Sequence, residues 1–257
     1  MTLVATILGG LAFLASGLLA TRLYAKSRRE GGAPERLVAL AITALFCFAY
    51  PLAAVSRAPG LDGTHEGSLI FTIAMIALVI GISALYRFPQ IVFRPSRPWA
   101  IALRHVASTL GAVAGAGCAV VVTLAQRPAE MIVSTRPWAI ALMVSILLPF
   151  AWNAVESTLH FRQMRRRLRL QLSDPIDTHR FLLWAISSWS SVLHFGIVIA
   201  LRVADLPIRS PLPMAIIASS ALFCLLCTWL AFMMPRVYRI HVVGARDPDL
   251  EPRPTER

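Results

Sequence analysis

Residues 138–160 read WAIALMVSILLPFAWNAVESTLH, and up to Trp152 they hold nothing more polar than Ser145. As a helix this stretch reaches about 34 Å, enough to cross a hydrocarbon core of about 30 Å. In lipid every backbone N–H and C=O must be bonded within the segment, which selects helix for an apolar run of this length. The period-two alternation of a barrel strand is missing. Near its end stands Glu156, the only carboxylate of the chain inside a membrane-length apolar segment; the remaining acids are expected in loops or the tail. An ionisable group in hydrocarbon is costly and marks a functional hypothesis by default. Counted from Trp138, Glu156 lies roughly 27 Å down the helix, in the inner third of the membrane, and His160 reaches the headgroups. At that depth the carboxylate can pair with Arg162 or Arg165, bond across helices, line a polar pocket or transfer protons.

Working outward, the chain contains six further stretches of this kind. With residues 138–160 they lie near 2–24, 37–56, 68–86, 99–125, 138–160, 181–203 and 212–234. Hydrophobic residues make up 57% and charged residues 15%, against roughly a quarter charged in soluble domains. The expectation is an all-α, seven-transmembrane-helix bundle over 1–234, followed by a mostly disordered tail over 235–257 with a short ordered piece around Val237 to Val243. The first stretch lacks a basic n-region and a cleavage site, so it reads as a retained helix. Loops on one face carry nineteen Lys and Arg, among them Lys26, Arg94, Arg180 and the run from Arg162 to Arg169; five stand opposite, and Arg104 is left out of both counts. The positive-inside rule then places the N-terminus outside and the C-terminus in the cytoplasm. The preference for Arg over Lys fits a GC-rich bacterial genome, hence a multi-pass protein of the bacterial cytoplasmic membrane. The net charge of +12 is spread over short loops without a nucleic-acid-binding motif, so anionic lipid headgroups are the expected partner, and nucleic acid is not.

Smaller features refine the bundle. Trp99, Trp138 and Trp184 lie just inside helix starts, where amphipathic rings collect, while Trp152 and Trp189 are deeper. Ala107, Gly111, Gly115 and Ala119 recur every four residues, with Ala112 and Ala116 on a second row; such rows allow close backbone approach inside the bundle or at a homodimer face. Pro51 and Pro149 sit well inside helices two and five, where each removes a hydrogen bond and favours a kink. The heptapeptide RPWAIAL occurs at 97–103 and again at 136–142, with Pro placed for a first helical turn in each copy.

Several constellations could carry chemistry. Asn153, Glu156 and His160 share one face of helix five, flanked by Trp152 and Ser157. Helix six offers a matching stripe of Ser187, Ser188, Ser191 and His194 with Trp184 and Trp189, so Glu156 is expected to bond to Ser187 or Ser188, and His194 to lie near Pro149 and Asn153. A mid-membrane His can titrate near neutrality or bond as the neutral ring across helices. Cys47, Cys118, Cys224 and Cys227 all fall in apolar helices; Cys224 and Cys227 lack a second pair for zinc, and no metal is expected. Retinal is excluded, because a Schiff base needs an intramembrane lysine and the sole lysine, Lys26, lies in the first loop; no cofactor is predicted. Asp62, His65 and Glu66 share a Gly-containing outer loop, read as a solvated turn or a cation site. Beyond His160, Phe161, Met164, Leu168 and Leu172 form an apolar stripe interleaved with Arg162, Arg165, Arg166, Arg167 and Arg169, an amphipathic extension suited to lipid or partner contact. Asp174 then caps helix six, with Pro175 first and Asp177 in the opening turn.

Pro89-Gln90 is shared with the PQ-loop and SWEET transporters, though here the pair occurs once and at a helix end. The stretch Arg166 to Trp184, RRLRLQLSDPIDTHRFLLW, resembles the junction between helices five and six in a poorly characterised group of bacterial seven-helix membrane proteins associated with signalling. A Gly stands there at the place of Gln171 and an Asn at the place of His179. The resemblance implies a sensory module without specifying a ligand. From the residues, the first reading is a receptor-like module with a pocket between helices five, six and seven, bounded by Trp152, Asn153, Glu156, Trp189, Ser191 and His194 and supported by Ser187, Ser188 and His160, signalling to a cytoplasmic protein. A small-solute or proton-coupled transporter using Glu156 and His194 is the alternative. A membrane hydrolase with zinc comes third, since the His-x-x-x-His pair of the alkaline-ceramidase and adiponectin-receptor superfamily is missing.

Overall fold

The computed structural model describes residues 2–124, 128–204, 211–235, 238, 240 and 242. Among these residues the chain is all-helical: α1 (Thr2–Glu30), α2 (Ala33–Val55), α3 (His65–Phe93), α4 (Pro98–Leu124), α5 (Pro128–Arg169), α6 (Pro175–Val203) and α7 (Pro211–Met233). The helices α2 to α6 are each long and apolar enough to cross a membrane. Consecutive helices pack as neighbours, α7 returns to α1, and α3 also reaches across to α5. Two apolar cores result. One joins α2, α3, α4 and α5 around Leu45, Ile82, Tyr86, Ala114 and Leu142; the other joins α1, α2, α3, α6 and α7 around Leu23, Ala41, Phe88, Leu183 and Phe232. Both α2 and α3 contribute to the two cores, so these two helices join the halves of the bundle. Outward faces stay apolar, with Ile76 57%, Leu110 59% and Leu193 64% exposed, the pattern lipid rather than water accommodates.

The small residues of α4 lie inside the bundle: Ala107, Gly111, Gly115 and Ala119 are buried. A Cβ on Gly111 would meet Ile82 and Ser145, and one on Gly115 would meet Val79 at 3.0 Å. Gly117 is tighter still, since a Cβ there would stand 2.3 Å from the Trp138 indole. In α2 the backbone passes through a π-helical stretch over Thr43–Ala49, ahead of Pro51. Proline cannot donate its ring nitrogen, and widening the preceding turns accommodates the loss. Gly81 lets α3 approach this stretch, where a Cβ would fall 2.6 Å from Leu45 Cγ.

Several sequence boundaries need correction. The helix expected from Trp138 begins at Pro128, so the second RPWAIAL lies within α5 and Pro137 is an interior proline. In the first copy Pro98 does open α4, where the Arg97 carbonyl accepts from Ala100 and Ile101 (3.1 and 3.2 Å). One heptapeptide thus serves two roles, because only the first follows a turn. The amphipathic extension is continuous: α5 runs unbroken over 42 residues. It ends at Gln171, whose φ of 56° builds a left-handed C-terminal cap: Gln171 N–H donates to the Leu168 carbonyl (3.0 Å) and Leu172 N–H to that of Arg167 (2.9 Å). Leu172 therefore leaves the apolar stripe and is 71% exposed. The Asp174 carboxylate accepts from Ile176 N–H (2.8 Å), with Pro175 opening α6 as expected. Some acids expected in loops instead occupy helix ends, as Glu30 does in α1 and Glu35 in α2. Of the ordered piece expected around 237–243, the described positions Tyr238, Ile240 and Val242 are helical, and the rest lies outside the described residues.

Candidate functional site

The residues singled out on α5 and α6 resolve into three polar contacts between different helix pairs. Glu156 is 4% exposed, and its partner is Arg94, the residue that terminates α3: Nε donates to Oε1 at 2.8 Å and Nη2 to Oε2 at 3.1 Å. Such a two-pronged guanidinium–carboxylate contact fixes orientation as well as charge. Trp152 Nε1 donates to the same Oε1 at 3.4 Å. This corrects the expected pairing with Arg162, Arg165, Ser187 or Ser188. Arg162 and Arg165 stand on the side of α5 that faces α6 and α7, while α3 ends beside Glu156, so the arginine distant in sequence is the near one in space. The carboxylate's hydrogen bonds and charge hold the Arg94 guanidinium above its ordinary range.

Between α5 and α6, Asn153 Nδ2 donates to Ser188 Oγ (2.5 Å) and Trp189 Nε1 to Thr158 Oγ1 (3.2 Å). The other stripe of α6 turns to α7. Ser187 Oγ lies 2.9 Å from Thr228 Oγ1 and 3.2 Å from the Cys224 carbonyl, and Ser191 Oγ lies 2.9 Å from Cys224 Sγ. His194 bonds to α7: its Nδ1 sits 2.7 Å from Ser220 Oγ. With the Ser220 hydroxyl donating to the Ile217 carbonyl (2.9 Å), that short contact is completed by Nδ1–H of the imidazole, which leaves Nδ1 no lone pair to activate the serine.

His160 is held by an aromatic cluster that sequence reasoning missed. Its ring lies 4.8 Å from that of Phe93 and 5.6 Å from that of Phe181. Trp184 joins Phe93, Phe181, Phe88 and Phe232 at centroid separations of 5.3 to 6.3 Å. Rings from α3, α5, α6 and α7 therefore knit one end of the bundle beside the Arg94–Glu156 pair. The available signal was an aromatic ring near one end of each of these helices: Phe93 on α3, His160 on α5, Phe181 on α6 and Phe232 on α7. Gln90 closes the adjoining turn, donating to the Pro95 carbonyl (3.2 Å) and accepting from Arg104 (3.2 Å).

Chemically, then, these residues tie helices together rather than converge on one reacting centre. Trp152, Asn153 and Glu156 meet α3 and α6, while Ser191 and His194 meet α7. Among the described residues no group of three His, Cys, Asp or Glu side chains is placed to hold a metal ion. In the α2–α3 loop Asp62 pairs with Arg57 (3.6 Å), and Thr64 caps α3 by accepting from Gly67 N–H (3.1 Å). Two buried polar atoms on α5, Asn153 Oδ1 and Ser157 Oγ, have no protein partner. Comparison with known proteins returns no match to a family profile, to a curated sequence or to a solved structure.

Proposed function

We propose that this chain is a receptor-like sensory module of the bacterial cytoplasmic membrane, with seven spans, the N-terminus outside and the C-terminus in the cytoplasm. Movement of α5 and α6 within the bundle is passed to a cytoplasmic protein through the Arg-rich extension. The observation that carries this reading is the unbroken 42-residue α5, latched by the buried Arg94–Glu156 pair at the level where it leaves the bundle. A continuous helix transmits a shift or rotation at one end to the other, and a single ion pair gives it two discrete arrangements, closed and released. The weak resemblance of residues 166–184 to signalling-type junctions adds to this, and the contrast of nineteen against five basic residues favours the orientation. Transport is the poorer fit, because the polar stripe of α6 is spent on contacts with α5 and α7 instead of facing a common path.

The test pairs a distance with a flux. Spin labels on Leu170→Cys and Arg97→Cys in lipid report the position of the extension relative to the start of α4. Releasing the latch with Glu156→Gln is expected to shift or broaden that distance, while proteoliposomes show no solute or proton flux above empty vesicles. An unchanged distance refutes the lever, and a flux abolished by Glu156→Gln establishes transport in its place.

A further inference from the structure

The extension of α5 does more than protrude: with α6 and α7 it walls a groove of about 840 Å³. Its two ends differ in chemistry. At the end nearest the α5–α6 turn the lining is Arg162, Arg165, Arg166 and Arg169, spaced i, i+3, i+4 and i+7 and so on one helical face. Arg167 does not line it. No described carboxylate lies within ion-pair distance of these four guanidinium groups, and none lines the groove. Four like charges within two turns repel one another, so the arrangement calls for an anion from outside the chain. At the other end the walls are apolar and exposed: Ile186 38%, Trp189 49%, Leu193 64% and Phe223 48%. The hydrogen bond from Trp189 to Thr158 (3.2 Å) fixes the indole against α5. From Leu182 to Leu193 this wall runs roughly 16 Å along α6, room for much of an acyl chain.

We infer that the groove is a binding site for one anionic phospholipid of the leaflet at that end of the bundle, its phosphate gripped by the arginine face and an acyl chain lying along Trp189, Leu193 and Phe223. Charge complementarity commits the occupant: guanidinium forks match phosphate oxygens, and only a lipid brings that anion together with a chain to cover the apolar wall. The site rests on the proposal that the chain is membrane-embedded with this end towards the cytoplasm. It adds a regulatory input, since a lipid joining the extension to α6 and α7 would hold the lever against the bundle.

The full chain is reconstituted into vesicles of phosphatidylcholine and phosphatidylglycerol in which one or the other carries brominated acyl chains. The fluorescence of Trp189 is isolated as the difference between the native chain and Trp189→Phe. Brominated phosphatidylglycerol is expected to quench Trp189 at a mole fraction at least about tenfold lower than brominated phosphatidylcholine, given about fivefold preference per arginine near the headgroups and more than one arginine on the groove face. Arg166→Gln should lower that preference about fivefold, and Arg167→Gln, which removes the same charge outside the groove, should leave it unchanged. Equal quenching by the two lipids, or equal loss in the two variants, overturns the site. Displacement by excess inorganic phosphate would overturn the lipid assignment in favour of a soluble anion. If the chain fails to float with the vesicles at all, the membrane reading itself falls; flotation with equal quenching removes only the site.

Discussion

Removing Arg94 should destabilise the protein more than removing the charge of Glu156, although both changes break the same contact. The asymmetry comes from burial. The carboxylate side chain is 6% exposed and that of Arg94 is 35% exposed. In Arg94→Ala the acid is left in a packed junction with only the Trp152 indole at 3.4 Å. Breaking a buried pair in this way costs about 3–5 kcal/mol, and partial water access at Arg94 places the value near the lower end, about 3 kcal/mol. In Glu156→Gln the amide oxygen still accepts from Trp152, and the freed guanidinium turns to solvent, for a cost of about 1–2 kcal/mol. Arg94→Ala combined with Glu156→Gln leaves neither an orphaned acid nor a stranded base, so it should cost about 1–2 kcal/mol less than the two single changes added together. Unfolding in mixed micelles at increasing SDS, followed by circular dichroism, measures all four corners of the cycle. Additivity to within about 0.5 kcal/mol, or a larger loss in Glu156→Gln than in Arg94→Ala, would refute the pairing.

Three further outcomes are expected in the same assay. Gln171→Gly should stabilise by about 1 kcal/mol, because Gln171 holds a φ of 56° that costs a residue bearing a Cβ about that much; a loss of stability would show that its side chain matters more than its backbone. Gly117→Ala should cost about 1–3 kcal/mol through overlap with the Trp138 ring, and a neutral result would mean that the indole moves freely aside. Asn153→Ala should cost only about 0.6 kcal/mol, the usual scale of an interhelical hydrogen bond in lipid, since its Oδ1 already lacks a protein partner; a loss several times larger would point to a network beyond Ser188.

Helix existence was readable because apolar runs of membrane length leave few alternatives. Ends were harder. Apolarity locates the segment immersed in lipid, whereas α1, α3 and α5 continue as helix past it through Arg28, Gln90 and Arg165, residues that suit a helix as well as they suit a loop. Pro137 misled for a related reason: a proline signals a first turn only when the preceding residues are not already helical. The Asp174 cap and the stripe of Phe161, Met164 and Leu168 were legible from local chemistry. Glu156 was legible as an anomaly but its partner was not, since Arg94 lies 62 residues away and only the crossing of α3 to α5 brings the two together. The serines of α6 were visible as a stripe, yet a stripe does not say which neighbour it faces: Ser188 met α5, while Ser187 and Ser191 met α7.

The lever and the lipid site both require the α2–α3 loop and the end of α5 to lie on opposite sides of the membrane, and labelling from either side decides it. In a chain whose four cysteines are replaced, Asp62→Cys in the α2–α3 loop and Leu170→Cys at the end of α5 are offered an impermeant maleimide in spheroplasts. Asp62→Cys should react in intact spheroplasts, and Leu170→Cys only after permeabilisation. Reaction of both from the same side, or the reverse pattern, would contradict the orientation and with it the lever and the lipid site.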